Sequence, residues 1–162
     1  WWCPDPRFVL FPEELKVSKS MLRLLRKNVF EFRINTSFEQ IIRNCQYAKR
    51  KGQEGTWITE EIVKAYCALH TLGYAHSAEV WQDHKLVGGL YGIRMGKVFF
   101  GESMFSSEKN ASKYAFAKYV QQLQLEGVVL IDCQVYTAHL ESLGARMIPR
   151  NEFLNFLNLE IS

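Results

Sequence analysis

The sequence predicts an α+β fold: a mixed, mostly antiparallel sheet flanked by helices, in one domain over residues 1–162. Three observations carry this. Three strand-like runs, "HSAEVW", "KLVGGLYGIRM" and "KVFFGESMF", follow one another with short turns between them, the pattern of an antiparallel meander. A long run at helical spacing comes next and leads into a further strand, a crossover that makes the sheet mixed. And 162 residues, 48% of them hydrophobic and 23% charged, suit one soluble core.

Each element has a local reason. "SKSMLRLLRKN" opens with Ser18, a residue type that accepts a hydrogen bond from the first helical turn. In "TSFEQIIRNCQYAKRK", Thr36 with Glu39 three places on reads as a capping box, and Phe38, Ile41, Ile42 and Cys45 form one apolar stripe. "GQEGTW" is a loop ending at Trp57. Thr59 then caps "EEIVKAYCALHTLG", which has acids in its first turn and Gly73 as its stop. Gln82–His84 joins the first two strands, and Gly96 turns the next pair. "SKYAFAKYVQQLQLEG" is the clearest helix, with Phe116, Tyr119, Val120 and Leu123 in register and Gly127 ending it. The strand "VVLIDCQV", the short helix "AHLESLG", the strand "ARMIPR" and finally "NEFLNFL" follow.

Composition excludes several classes. No run of about 18 apolar residues exists, so no membrane-spanning helix is expected. The opening "WWCPDPR" has neither an initiator Met nor a signal-peptide pattern, and reads as a piece with something upstream. Cys3, Cys45, Cys67 and Cys133 lack zinc spacing and read as reduced thiols of a cytoplasmic protein. His70, His76, His84 and His139 show no ligand spacing, and no metal is expected. Charge is uneven: residues 1–51 carry eleven Lys/Arg and five Asp/Glu, while the remainder is net negative. Two basic clusters, Lys16, Lys19, Arg23, Arg26 and Lys27, then Lys49, Arg50 and Lys51, suit either solvated helix faces or contact with a polyanion such as RNA.

The chemistry concentrates at the end of "VVLIDCQV". Side chains alternate across a strand, so Asp132 and Gln134 share one face and Cys133 takes the other. Two readings are open from residues alone. Asp132 caps a helix or pairs with an Arg, with Gln134 as filler; or the two form a polar site. Gly88, Gly89 and Gly92 in one strand mark a bulge or a close approach.

The element order resembles the GCN5-related N-acyltransferase fold, in which the strands before and after the long helix splay to admit an acyl donor. Members of that fold that use coenzyme A place a Gly-rich loop at the start of the long helix, where backbone N–H groups meet pyrophosphate. Here that position reads "SSEKNASK" and has no glycine, so no acyl-CoA and no other cofactor is expected. "WWCPDPR", "EGTWI", "LGYAHSAEVW", "LVGGLYG", "GESMFS", "NASK", "LIDCQ" and "SLGA…IPR", in this order from Trp1 to about Leu157, are similar to the leucyl/phenylalanyl-tRNA–protein transferase family.

That resemblance implies transfer of Leu or Phe, and Met as a further donor, from aminoacyl-tRNA to the α-amino group of proteins starting with Arg or Lys. The product feeds N-degron proteolysis in the cytoplasm, and the enzyme is expected to be a monomer. It also implies a small N-terminal domain lying outside this sequence. Under it, Asp132 and Gln134 receive the amine: the Gln134 carbonyl fixes its line of attack, and Asp132 polarises that bond or takes the proton. Glu102 pairs with the acceptor's basic side chain. Trp57 stacks on the terminal adenine. Leu90, Phe99, Met104, Phe116, Tyr119, Leu123 and Ile131 supply the amino-acid pocket, some of them serving as plain core. An acyl-CoA-dependent enzyme of the same fold and a non-catalytic tRNA- or peptide-binding module are the alternatives.

Overall fold

The computed structural model describes residues 2–48 and 55–161. Seven strands form one sheet: β1 (Arg7–Leu10), β2 (Glu31–Ile34), β3 (Ala75–Gln82), β4 (Lys85–Met95), β5 (Val98–Ser106), β6 (Leu130–Gln134) and β7 (Arg146–Ile148), in the order β2-β3-β4-β5-β6-β1-β7. Only the β5–β6 pair is parallel; the other neighbours run antiparallel. The helices are α1 (Lys19–Lys27), α2 (Phe38–Tyr47), α3 (Glu60–Thr71), α4 (Ala111–Leu125), α5 (Ala138–Glu141) and α6 (Arg150–Glu160).

The crossover through α4 produces the parallel pair, as the element order requires. The meander follows the sequence closely. Asp83 and His84 both take left-handed backbone conformations in the turn between β3 and β4, and Gly96 does so between β4 and β5. Ser18 accepts from the Met21 N–H at 3.1 Å, and Thr59 from the Ile62 N–H at 3.4 Å, so both caps form as expected. The strand expected from Val128 begins at Leu130. Two strands have no counterpart in the sequence reading. β1 inserts between β6 and β7, and β2 extends the meander at its edge.

The capping box expected at Thr36 does not form. Ser37 is the N-cap of α2 and makes no side-chain cap bond. The buried carboxylate of Glu79 on β3 replaces it, accepting from the Thr36 N–H at 2.8 Å and the Ser37 N–H at 2.7 Å. The Thr36 hydroxyl donates to the same carboxylate. A full anion against the positive end of a helix displaces a neutral hydroxyl from that role. Glu39 turns outward and pairs with Arg43 at 2.9 Å.

The sheet has three packed regions. α4, with α1 and α5, covers one face, and Phe8, Leu90, Phe99, Phe116, Ile131 and Leu140 share that core. On the opposite face α2 and α3 cover Ala75, Tyr91 and Phe105. Farther along that face, α6 lays Phe153 over Val9, Val98 and Leu130. The glycines of β4 serve close approach within the chain: a Cβ at Gly88 would lie 2.7 Å from the Ala111 Cβ, so Gly88 lets α4 start against the sheet.

Candidate active site

The site lies where β5 and β6 part. They pair over Val98–Phe100 and Leu130–Asp132 only, after which β5 continues to Ser106. Each strand bulges at the opening. Opposite β5, Tyr91 faces Ser103 and Gly92 faces Gly101, so Glu102 is the extra residue. Opposite β6, Val9 faces Asp132 and Phe8 faces Gln134, so Cys133 is skipped. A bulge bends its strand and re-aims its side chains. Phe99 and Met104 show the effect. They lie five places apart, yet both pack into the α4-side core, because Glu102 shifts the alternation by one.

A cavity of about 540 Å³ fills the opening. Its apolar wall comes from the α4 side, with Leu90, Phe99, Met104, Phe116 and Ile131 joined by Leu140. Its other wall carries Trp57, Glu102, Phe105, Asp132 and Gln134. Residues from both faces line one space, so the cavity passes through the sheet. Tyr119 and Leu123 stand behind the lining, buried in the α4-side core, with the Tyr119 ring edge-on to Phe99 at 5.1 Å. Trp57 lines the mouth and is 38% exposed.

Asp132 is fully buried and bonded to Arg7 through both oxygens, at 2.9 Å from Nε and 2.7 Å from Nη2. Its Oδ1 also accepts from the Gln134 backbone N–H at 2.9 Å. The Arg7 guanidinium lies over the Phe153 ring of α6, 5.1 Å from its centre. Arg7 is absent from the expected site residues. The only sequence signal was a lone cation directly before the apolar run "FVLF".

At Gln134 the backbone turns left-handed, with φ at 67°, and the strand's alternation ends. The side chain reaches across the opening. Its amide nitrogen donates to the Gly101 carbonyl at 2.9 Å and to Glu102 Oε2 at 3.3 Å. With the nitrogen so used, the side-chain carbonyl is the part suited to accept a bond from an incoming amine.

Burial raises the Glu102 carboxyl above its ordinary value, against hydrogen bonds from Gln134 and the Tyr66 hydroxyl that pull it down. The Asp132 charge adds to the rise, and Arg7 opposes it. Tyr66 on α3 is itself pushed up by burial and by Glu102. Burial pushes the Cys133 thiol up to about 12, which leaves it protonated at neutral pH and a poor nucleophile. His139 on α5 also lines the cavity, with its pKa lowered by burial and by the Lys113 charge. Nothing in its sequence spacing marked it.

The start of α4 is occupied from within. The Ala111 N–H donates to the Glu108 carbonyl at 3.1 Å, and the Ser112 N–H to the Ser106 hydroxyl at 3.2 Å. That is not the open row of N–H groups a pyrophosphate needs. Among the described residues no group of three His, Cys, Asp or Glu side chains is placed to hold a metal ion.

Known proteins share both fold and sequence with this chain. FemX superposes with a TM-score of 0.66 at 11% identity, over 96% of this chain and 64% of its own. A GCN5-related glucosamine N-acetyltransferase region of a fungal multi-domain protein gives 0.59 at 10% identity, over 90% of this chain and 20% of its own. At such identities the likeness concerns the fold, which is of the GCN5-related kind. Sequence goes further. The leucyl/phenylalanyl-tRNA–protein transferase of Flavobacterium johnsoniae is 57% identical over 157 residues, covering 97% of this chain and 74% of that protein. The protein of the same name from Chromobacterium violaceum is 54% identical over 95% of this chain and 66% of its own length. The family profile described as leucyl/phenylalanyl-tRNA protein transferase matches residues 9–158, and the chain belongs to that family.

Proposed function

We infer that this chain moves a leucyl or phenylalanyl group from aminoacyl-tRNA to the α-amino group of a protein that begins with Arg or Lys. The observation that carries the reading is the cavity through the sheet, apolar on one side and acidic on the other. The apolar wall takes the amino-acid side chain. In this reading Trp57, which lines the cavity, stacks on the terminal adenine. Glu102, half-buried and bonded to the neutral Gln134 amide and Tyr66 hydroxyl, supports the choice of a cationic acceptor residue.

The chemistry asks little of the protein, because an aminoacyl ester is already activated. The α-amino group, with an ordinary pKa of about 8, is partly neutral at cellular pH. The Gln134 carbonyl accepts one of its hydrogens and aims the lone pair at the ester carbon. The new C–N bond forms, the ester C–O bond breaks, and the ribose oxygen leaves with the proton that the amine gives up, passed through water. Asp132 contributes by holding Gln134 through its backbone. The fixed contacts of Asp132 favour this over a role as proton acceptor.

The tRNA body has a candidate surface in α1. Lys19, Arg23, Arg26 and Lys27 are exposed, and none has an ion pair with another described residue. Phosphate contacts there would be salt-dependent and blind to sequence. The second basic cluster, Lys49 to Lys51, lies outside the described residues. Met as a further donor, a monomeric state, action in the cytoplasm and supply to N-degron proteolysis belong to the same reading. No helix among the described residues is long and apolar enough to cross a membrane.

The deciding experiment follows radiolabelled Leu from Leu-tRNA to a peptide beginning with Arg, beside the same peptide N-acetylated. Label on the free-amine peptide alone is the expected result. Binding of charged and uncharged tRNA alike, with no transfer to either peptide, would favour a binding module instead.

A further inference from the structure

We propose that Arg7 is a positioning residue of the reaction: through Asp132 it holds the Gln134 amide at the angle from which it receives the acceptor amine. The inference rests on the transferase reading above. It begins from how much is spent on one carboxylate. Asp132 accepts three N–H bonds, two from Arg7 in a bidentate fork and one from the backbone of Gln134. Its side chain exposes none of its surface, and that of Arg7 exposes 7%. A fork of this kind fixes the plane of the carboxylate as well as its place.

The plane matters because Oδ1 is shared. The same oxygen takes Arg7 Nε and the Gln134 N–H. Gln134 sits in a left-handed conformation that a residue with a side chain adopts at a cost, so something must hold it there. The Oδ1 bond does so. From that conformation the side chain crosses to the Gly101 carbonyl and Glu102. Arg7 is pinned in turn by the Phe153 ring and by β1, whose residues Phe8 and Val9 pair with β6 beside the bulge. A residue at the start of the chain thus sets a side chain 127 positions later, and reaches neither substrate itself.

The test is Arg7→Lys. A lysine keeps the charge and can meet Oδ2, but cannot span both oxygens. The expected result is a kcat at least about tenfold lower, with KM for aminoacyl-tRNA and for the peptide within about twofold of wild type. A non-reactive acyl-adenosine amide should bind as before, which shows that the sites counted are folded. Hydrogen exchange at the Gln134 amide is read in parallel and needs no turnover; it should quicken in the variant while Leu130 and Ile131 keep their protection. A wild-type protein that transfers nothing would overturn the transferase reading, and the exchange result would still decide whether Arg7 holds Gln134.

A kcat loss that merely follows the folded fraction, or unchanged exchange at Gln134, would overturn the proposal. Should Arg7→Lys not fold, the double variant Arg7→Met/Asp132→Leu replaces the buried pair by apolar side chains of similar size. It should fold, bind the amide and lose turnover. Turnover at the wild-type rate in that variant would overturn the proposal equally.

Discussion

Two carboxylates stand at the opening in the sheet, Asp132 fully buried and Glu102 half-buried, and they are treated in opposite ways. Asp132, on the β6 side, is neutralised by Arg7 and takes a third bond from its own strand. Glu102, on the β5 side, is bonded to the Gln134 amide and the Tyr66 hydroxyl, both neutral, and its pKa is raised by burial. The chain completes the first carboxylate and leaves the second short of a cation. The difference separates a carboxylate that builds the site from one that a ligand completes, although the sequence reading placed both in the site.

The largest effect is expected from removing the completed charge. Asp132→Asn leaves the Arg7 guanidinium buried without its partner. Breaking a buried pair in this way costs about 3–5 kcal/mol, out of a total stability of about 5–15 kcal/mol. At this chain length the melting temperature should fall by roughly 6–20 °C. Thermal unfolding followed by circular dichroism gives the answer, and a melting temperature within a degree or two of wild type would erase the contrast between the two acids.

Glu102→Gln should act in the reverse sense. Glu102 binds its proton more tightly folded than unfolded, since its folded pKa lies above the ordinary 4.5. Its contribution to stability is therefore fully present below the ordinary value and is lost as pH rises through the raised one. At pH 7 the charge is a liability, which Gln removes while keeping an acceptor for Gln134 and Tyr66. The ligand-free variant should melt higher than wild type at pH 7, with the gain shrinking as pH falls toward 4.5. Its KM for an Arg-initial peptide should rise about tenfold to a hundredfold, the worth of one hydrogen bond to a charged group. A variant that is no more stable and binds acceptor as well as wild type would place Glu102 beside Asp132 as a structural acid.

The same contrast marks what could be read before the structure. The meander and α4 were legible because their apolar residues repeat at two or near 3.6 over long runs, and β6 because it is a continuous apolar run that ends in polar residues. β1 and β2 were not. Each has four residues; β1 is buried on both faces and so shows no alternation, while β2 is a half-exposed edge. Asp132 and Gln134 stood out as polar residues ending an apolar strand, and Glu102 through the family resemblance. Arg7 carried no comparable signal, since its partner is 125 residues away. Glu79 likewise caps a helix from another element, and local pattern assigned that role to Thr36. The two bulges are matters of register, which hydrophobic pattern cannot show.

The smallest effect sharpens the comparison most directly. Cys133 sits between Asp132 and Gln134, yet packs toward the α4-side core, away from both acids. Were an acyl-thioester formed in the reaction, its thiol would be the nearest nucleophile in sequence to the proposed amide. Burial, with the Asp132 charge second, pushes that thiol up to about 12, so almost no thiolate exists at neutral pH. Direct attack by the amine needs no sulfur. Cys133→Ala should therefore keep kcat within about twofold, at a stability cost of about 1 kcal/mol for the lost packing. A folded Cys133→Ala protein slowed by more than tenfold would bring the apolar wall into the chemistry, and the division of labour between the two sides of the sheet would no longer hold.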